Sequence, residues 1–320
     1  MKLTAFAKYA WGLVAFTVLV ILWGALVRAT GSGAGCGNHW PTCQGELIPQ
    51  PQSIETVIEF THRLSSSLAG VLAVGLVVWA LRAYPKGHWV RGGAVASLTL
   101  MIVEGLLGAL LVRFELVAKN DSSIRAVVVA FHLVNTFILL AAVTLTAWWA
   151  SGGPFPLRVR GQGALSRLLA LALVGVLAIG ASGAIVALGD TLFPAESFIE
   201  GWEQKFDSTA HFLIRLRWVH PAIAIAVSVY VICLMAYYGW AHPLLKRFAQ
   251  ILIGLVVVQL LAGVVNVLLL APVWMQLAHL LLADGVWILL VIVSAGLLAT
   301  ESAAPRVSAG ALTQSSPTGL

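Results

Sequence analysis

The chain has 320 residues, of which 60% are hydrophobic and only 10% charged, where a soluble globular domain carries roughly 25%. That balance excludes a water-soluble enzyme and defines an all-α integral membrane protein that crosses the bilayer many times. The formal net charge of +6 invites a nucleic-acid partner, but the charges sit in short loops between apolar runs, so membrane topology explains them and no nucleic acid is expected.

Eight apolar runs follow one another, at about 9–27, 57–82, 91–113, 124–150, 166–188, 210–239, 247–270 and 274–299. Each is long enough for ~30 Å of hydrocarbon, which takes about 20 helical residues. Lys2 and Lys8 before the first run imitate a signal peptide, but its apolar stretch exceeds the ~7–15 residues of a signal core. Trp11 and Trp23 near its ends suit interfacial anchors, so it is expected to persist as a helix. Eleven basic residues fall on one side: Lys2, Lys8, Arg82, Lys86, Arg91, Arg158, Arg160, Arg167, Lys246, Arg247 and Arg306. The other side holds eight basic residues and ten acids, so both termini are expected in the cytoplasm, in a plasma membrane surrounded by lipid. The tail over 301–320 is rich in Ser, Pro, Gly and Thr and is expected to be disordered.

The outer loops are the long ones, from about Arg28 to Thr56 and from about Gly189 to Thr209. The first carries Gly31-Ser32-Gly33-Ala34-Gly35-Cys36-Gly37-Asn38-His39-Trp40-Pro41-Thr42-Cys43. Cys36 and Cys43 on the oxidising face read as a disulfide, with free thiols or soft metal ligands beside His39 as the other readings. Cys233 falls in mid-helix and is expected to serve packing.

Two halves resemble each other. Gly24-Ala25-Leu26-Val27 matches Gly183-Ala184-Ile185-Val186, and Glu104 with Gly108 matches Gln259 with Gly263. His62 and His220 lie 158 positions apart, and His132 and His279 lie 147 apart. The spacing predicts two pseudo-symmetric four-helix bundles in parallel orientation, over 1–160 and 161–300. Imidazole in hydrocarbon is unfavourable and normally functional. His62 can face His132, and His220 can face His279, each pair enclosing a flat haem as iron ligands; hydrogen-bonded core histidines are the bland alternative. His39, His88, His211 and His242 do not match across the halves and receive no ligand role. Arg28, Arg63, Arg125, Arg215 and Arg217 lie near the outer helix ends as candidates for haem propionates, with interfacial snorkelling as the alternative. Two positions apart on a helix, Arg215 and Arg217 cannot both face the core. Glu59 lies three before His62, where the second half has Arg217 before His220. A carboxylate beside one ligand only points to proton chemistry in the first half, against a solvated helix-start acid. Glu104 and Asp284 are two further acids inside apolar runs.

Through Glu59-x-x-His62-Arg63, Cys36-Gly37-x-x-Trp40-Pro41-x-Cys43, the later histidines and the eight runs in two halves, the chain resembles the haem A synthase family over roughly 9–299. The resemblance implies oxidation of the C8 methyl group of haem O to a formyl group by successive hydroxylations, giving haem A for terminal oxidases. It implies substrate haem at His62 and His132, haem b (with its iron) at His220 and His279, catalytic Glu59, and a Cys36–Cys43 disulfide. Some members carry a second cysteine pair in the second outer loop, and this chain has none there. The partners to expect beside haem O are haem O synthase, an electron acceptor such as a quinone, and a second copy of the chain in a homo-oligomer. The main alternative is a bis-histidyl dihaem electron carrier of the quinol-linked cytochrome b type. A transporter is the weaker one, since the prolines sit at boundaries or in loops.

Overall fold

A computed structural model describes residues 3–50, 53–154, 163–204 and 206–303. The tail over 304–320 and the loop cations Lys2, Arg158, Arg160, Lys205 and Arg306 lie outside the described residues. Among the described residues there are helices and loops and no β-strand. The long helices are α1 (Ala5–Ala29), α2 (Ile54–Ala83), α3 (Trp89–Arg113), α4 (Ser123–Ala150) and α5 (Gly163–Leu192). After them come the short α6 (Phe198–Glu203) and α7 (Phe212–Arg215), then α8 (Val219–Leu234), α9 (Lys246–Leu268) and α10 (Val273–Ala303). Eight helical stretches are long and apolar enough to cross a membrane, α7 and α8 together making one of them.

The helix starts follow capping chemistry. Thr4, Ser53 and Ser122 each accept an amide hydrogen from three residues ahead, satisfying donors that the first turn leaves unpaired. The sixth apolar run is less regular than its hydropathy implies. Pro221 has no N–H to give the Arg217 carbonyl, and its ring crowds that carbonyl. The chain tightens into a 3₁₀ turn at Leu216–Trp218 before α8 begins. A π-helical turn at Met235–Gly239 then closes α8. At the other end of the chain, α10 continues through Ala303, beyond the expected end of the last run.

Packing closes two rings of neighbours. In the first, α1 touches α2 and α4, and α3 touches α2 and α4. In the second, α5 touches α8 and α10, and α9 touches α8 and α10. Helices α1, α4, α5 and α10 form the seam between the rings. Ala7, Ala10, Ala73, Ala80, Ala94, Ala147, Ala172 and Ala249 are fully or almost fully buried, as expected where backbones approach closely in a bilayer. Leu13, Leu76, Leu140, Val143, Leu169, Leu252 and Leu290 complete one continuous apolar core. Across the seam the Phe137 and Trp287 rings stack at 5.6 Å, and Trp287 Nε1–H donates to the Phe137 carbonyl at 2.6 Å. Leu19, Val71, Ile102, Leu106, Leu171 and Val264 face outward, where lipid replaces water as their solvent. Cys233, expected to be packed, is on this outer surface instead.

Candidate functional site

Each ring contains two of the four singled-out histidines. His62 and His132 lie close enough to act on each other's charge, and so do His220 and His279. All four side chains are half-buried.

Glycines make room for them. A Cβ added at Gly24 of α1 would stand 2.9 Å from His62 Cε1, and one at Gly183 of α5 would stand 3.0 Å from His220 Cε1. Gly24 to Gly183 is an offset of 159 and His62 to His220 one of 158, so the two contacts occupy matched registers. A second contact repeats with donor and acceptor exchanged: Tyr9 of α1 donates to the Leu72 carbonyl of α2 at 2.7 Å. In the second ring Tyr230 of α8 donates to the Leu168 carbonyl of α5 at 2.9 Å. Gly263 gives His279 a similar flank, 3.3 Å from Cε1 to an added Cβ.

The partners of the ring nitrogens differ. Glu104 Oε1 stands 3.2 Å from His132 Nδ1, within ion-pair reach but off the axis of the ring N–H. Ser182 Oγ is 3.1 Å from His220 Nδ1, and Gln259 Nε2 is 3.3 Å from His279 Nε2. Nδ1 of His62, His132 and His279 is buried and without a hydrogen-bond partner. No group of three or more His, Cys, Asp or Glu side chains gathers into a metal cage among the described residues. Two facing imidazoles do suit a haem iron, because the porphyrin supplies its remaining in-plane ligands. The paired imidazoles fit that group, with Nε2 the nitrogen of His132 left for it because Nδ1 faces Glu104.

Glu59 is 3% exposed, deep for a residue in the second turn of α2. Its Oε2 accepts the Cys36 amide at 2.8 Å, and its Oε1 pairs with Arg63 Nη2 at 2.5 Å. Arg63 Nη1 also donates to the His39 and Thr42 carbonyls, both at 2.6 Å. Glu59 and Arg63 thus fasten the first outer loop onto α2. Cys36 and Cys43 are disulfide-bonded and fully buried within that loop. Gly35 is required beside them, since a Cβ there would come within 2.4 Å of the Glu55 backbone. A groove of about 250 Å³ lies between α1 and α2, lined by Phe16, Leu19, Val20, Trp23, Thr61 and Ser65.

The arginines are more committed than their positions foretold. Arg217 pairs with Asp190 at 2.8 Å and donates to the Phe193 carbonyl at 2.5 Å. Arg125 donates to the Ala118 and Asn120 carbonyls at 2.8 and 2.5 Å. Arg28 crosses the seam, giving Nη1 to the Ala187 carbonyl and Thr191 and Nη2 to Gln276, each at 2.7 Å. Arg215 is exposed. His88 and His211 cap α3 and α7, while His39 and His242 lie in loops. Asp284 is wholly buried, with neither carboxyl oxygen hydrogen-bonded. Sequence reasoning passed over Ser182, Asn135 and Thr136; the last two follow His132 by three and four residues, the spacing that shares a helix face.

These features define a multi-pass helical membrane protein with histidines paired inside two rings of helices. The chain belongs to the COX15-CtaA family of cytochrome oxidase assembly proteins, whose model matches residues 7–291. A relative from Thermus thermophilus named protoheme IX farnesyltransferase is 54% identical over 308 residues, 95% of this chain and 50% of that protein. A heme A synthase from Geobacillus kaustophilus is 31% identical over 258 residues, 75% of this chain and 78% of that protein. One from Alkalihalophilus pseudofirmus is 39% identical over 128 residues, 40% of each chain. The chain spans about half the length of the Thermus relatives it matches.

Proposed function

We propose that this protein is a haem A synthase, converting the C8 methyl group of haem O to a formyl group. The observation that supports it best is the pairing of four membrane histidines, two in each ring, in a member of this family. Each hydroxylation, taking its oxygen from water, replaces one C–H bond of the methyl carbon by C–OH and releases two electrons and two protons; the second gives a geminal diol, and loss of water from it leaves the formyl group. The electrons pass to an acceptor such as a quinone. In this proposal His62 and His132 hold haem O in the first ring, and His220 and His279 hold haem b in the second. Haem b, when bound, supplies one-electron transfer. The matched glycine–histidine and tyrosine–carbonyl contacts support reading the rings as copies of one four-helix unit.

Within that frame the chain's own groups divide the work. Gly24 and Gly183 let the first histidine ring of each pair lie directly against the neighbouring helix, which sets where that ring sits. Glu59, positioned by the Cys36 amide and Arg63, is the carboxylate placed to exchange protons at the substrate site. The second ring has Arg217 in that register, already paired with Asp190, which suits a site that holds a cofactor and does no proton chemistry. The Thermus relatives suggest a partner. They are named for farnesyl transfer to haem and are twice this chain's length, and farnesylated haem is the proposed substrate. An enzyme that makes haem O is therefore proposed to hand its product to this chain within a plasma membrane, with both termini of this chain cytoplasmic.

Pigment extraction tests the proposal. The chain is expressed in membranes that make haem O and no haem A, and the haems are separated by chromatography. Haem A or its hydroxylated precursor should appear only with the intact protein. Haem b bound with haem O untouched would instead identify a dihaem electron carrier.

A further inference from the structure

The two rings differ at three coordinated positions around one histidine. In the first ring Glu104 of α3 approaches His132 of α4, and α4 itself holds that carboxylate. Asn135 Nδ2 donates to Glu104 Oε2 at 2.6 Å, and Thr136 Oγ1 donates to Oε1 in a short hydrogen bond. Asn135 also reaches the Leu100 carbonyl at 3.1 Å, which ties α4 to the turn of α3 before Glu104. His132, Asn135 and Thr136 therefore form one face of α4 around a single carboxylate. At the same offset as His132 to His279, the second ring has Leu282 and Ala283 in place of Asn135 and Thr136; Gln259 stands in place of Glu104 at the offset of 155 that also relates Gly108 to Gly263. The carboxylate and both side chains that hold it are absent together, and the amide of Gln259 meets the other ring nitrogen of His279. A carboxylate needed only as a solvated or lipid-edge acid would have no use for two dedicated donors. Three matched differences mark a device built at His132 alone.

We propose that Glu104 is a positioning residue for His132: it fixes the ring's orientation and strengthens its donation to a bound iron, in the first ring only. The inference rests on the haem-ligand role proposed above for both pairs. A carboxylate at the non-ligating nitrogen of a metal-bound histidine sets the tautomer and raises ligand basicity, and such partners commonly change metal affinity by about 10–100-fold. A more basic ligand favours the oxidised iron. The first-ring haem should thus be harder to reduce than it would be beside an amide.

The test is a redox titration of the purified haem-loaded protein, with each haem followed by its own absorbance. Glu104→Gln should shift the first-ring haem toward the reduced form by roughly tenfold, about 59 mV for a one-electron couple. The second-ring haem should not move. Should Glu104→Gln lose the first haem, Asn135→Leu with Thr136→Ala, copying the second ring, is read on the same scale and should shift in the same direction. Retained haem with an unmoved first-ring potential in the variants would overturn the inference. Absence of any haem ligated by His62 and His132 in the unaltered protein would overturn the underlying ligand assignment instead, so the two failures are distinguishable.

Discussion

Replacing Glu59 by Gln separates its hold on the first outer loop from chemistry. The carboxylate accepts from Cys36 N–H, Arg63 Nη2 and Arg63 Nε at 2.8, 2.5 and 3.2 Å. A glutamine oxygen can keep the Cys36 bond, but its NH2 group would face the guanidinium donors. Hydrogen bonds to charged groups contribute about 1.5–3 kcal/mol each. Breaking a buried ion pair costs about 3–5 kcal/mol. Arg63 retains the His39 and Thr42 carbonyls, which places the loss at the lower end, about 3 kcal/mol. Because Cys36 and Cys43 are 0% exposed, a reductant reaches their disulfide only when the loop opens. The opening equilibrium, and with it the reduction rate in dithiothreitol, should rise on the order of 100-fold, at about 1.4 kcal/mol per tenfold. The rate is followed by alkylating the freed thiols. Arg63→Gln also gives up the His39 and Thr42 carbonyls and should give a larger rise, and the double variant should show strong coupling rather than additivity. A Glu59→Gln rate within threefold of the unaltered protein would refute the clamp. Haem content should survive the change while haem A formation stops; a normal haem A yield would show that Glu59 serves the loop alone.

Gly24→Leu should expel pigment from the first ring only and Gly183→Leu from the second only, because the added Cβ would press on a histidine ring. Gly12→Ala on the same helix as Gly24 meets nothing within 4 Å and should leave haem content intact, as measured by pigment per chain. Arg28→Ala removes three bonds across the seam and should destabilise the protein by about 2–4 kcal/mol, seen as a lower thermal midpoint in detergent. Trp287→Phe keeps the stack on Phe137 but loses its indole hydrogen bond, which should lower stability by about 1 kcal/mol in the same assay.

Sequence alone determined the membrane class, the eight crossings and the residues of interest. Hydrocarbon forces long apolar helices, and it makes every ionisable or imidazole side chain within them conspicuous. Internal comparison exposed the matched histidines and the Glu59–Arg217 difference, because a duplicated pattern is visible without coordinates. Neighbours were another matter. Hydropathy is nearly uniform around these helices, so no polar face announces which side meets which helix. Only the tertiary structure decided that Gly24 abuts His62, that Arg28 spans to α5 and α10, and that Arg217 faces Asp190. It also moved Cys233 to the outer surface and interrupted the sixth run with the 3₁₀ turn at Leu216–Trp218, ahead of Pro221. Glu104 shows the division most clearly. Its place in an apolar run marked it as unusual, but its closure around His132 depends on the rotation of α3 against α4, which packing fixes and sequence spacing does not.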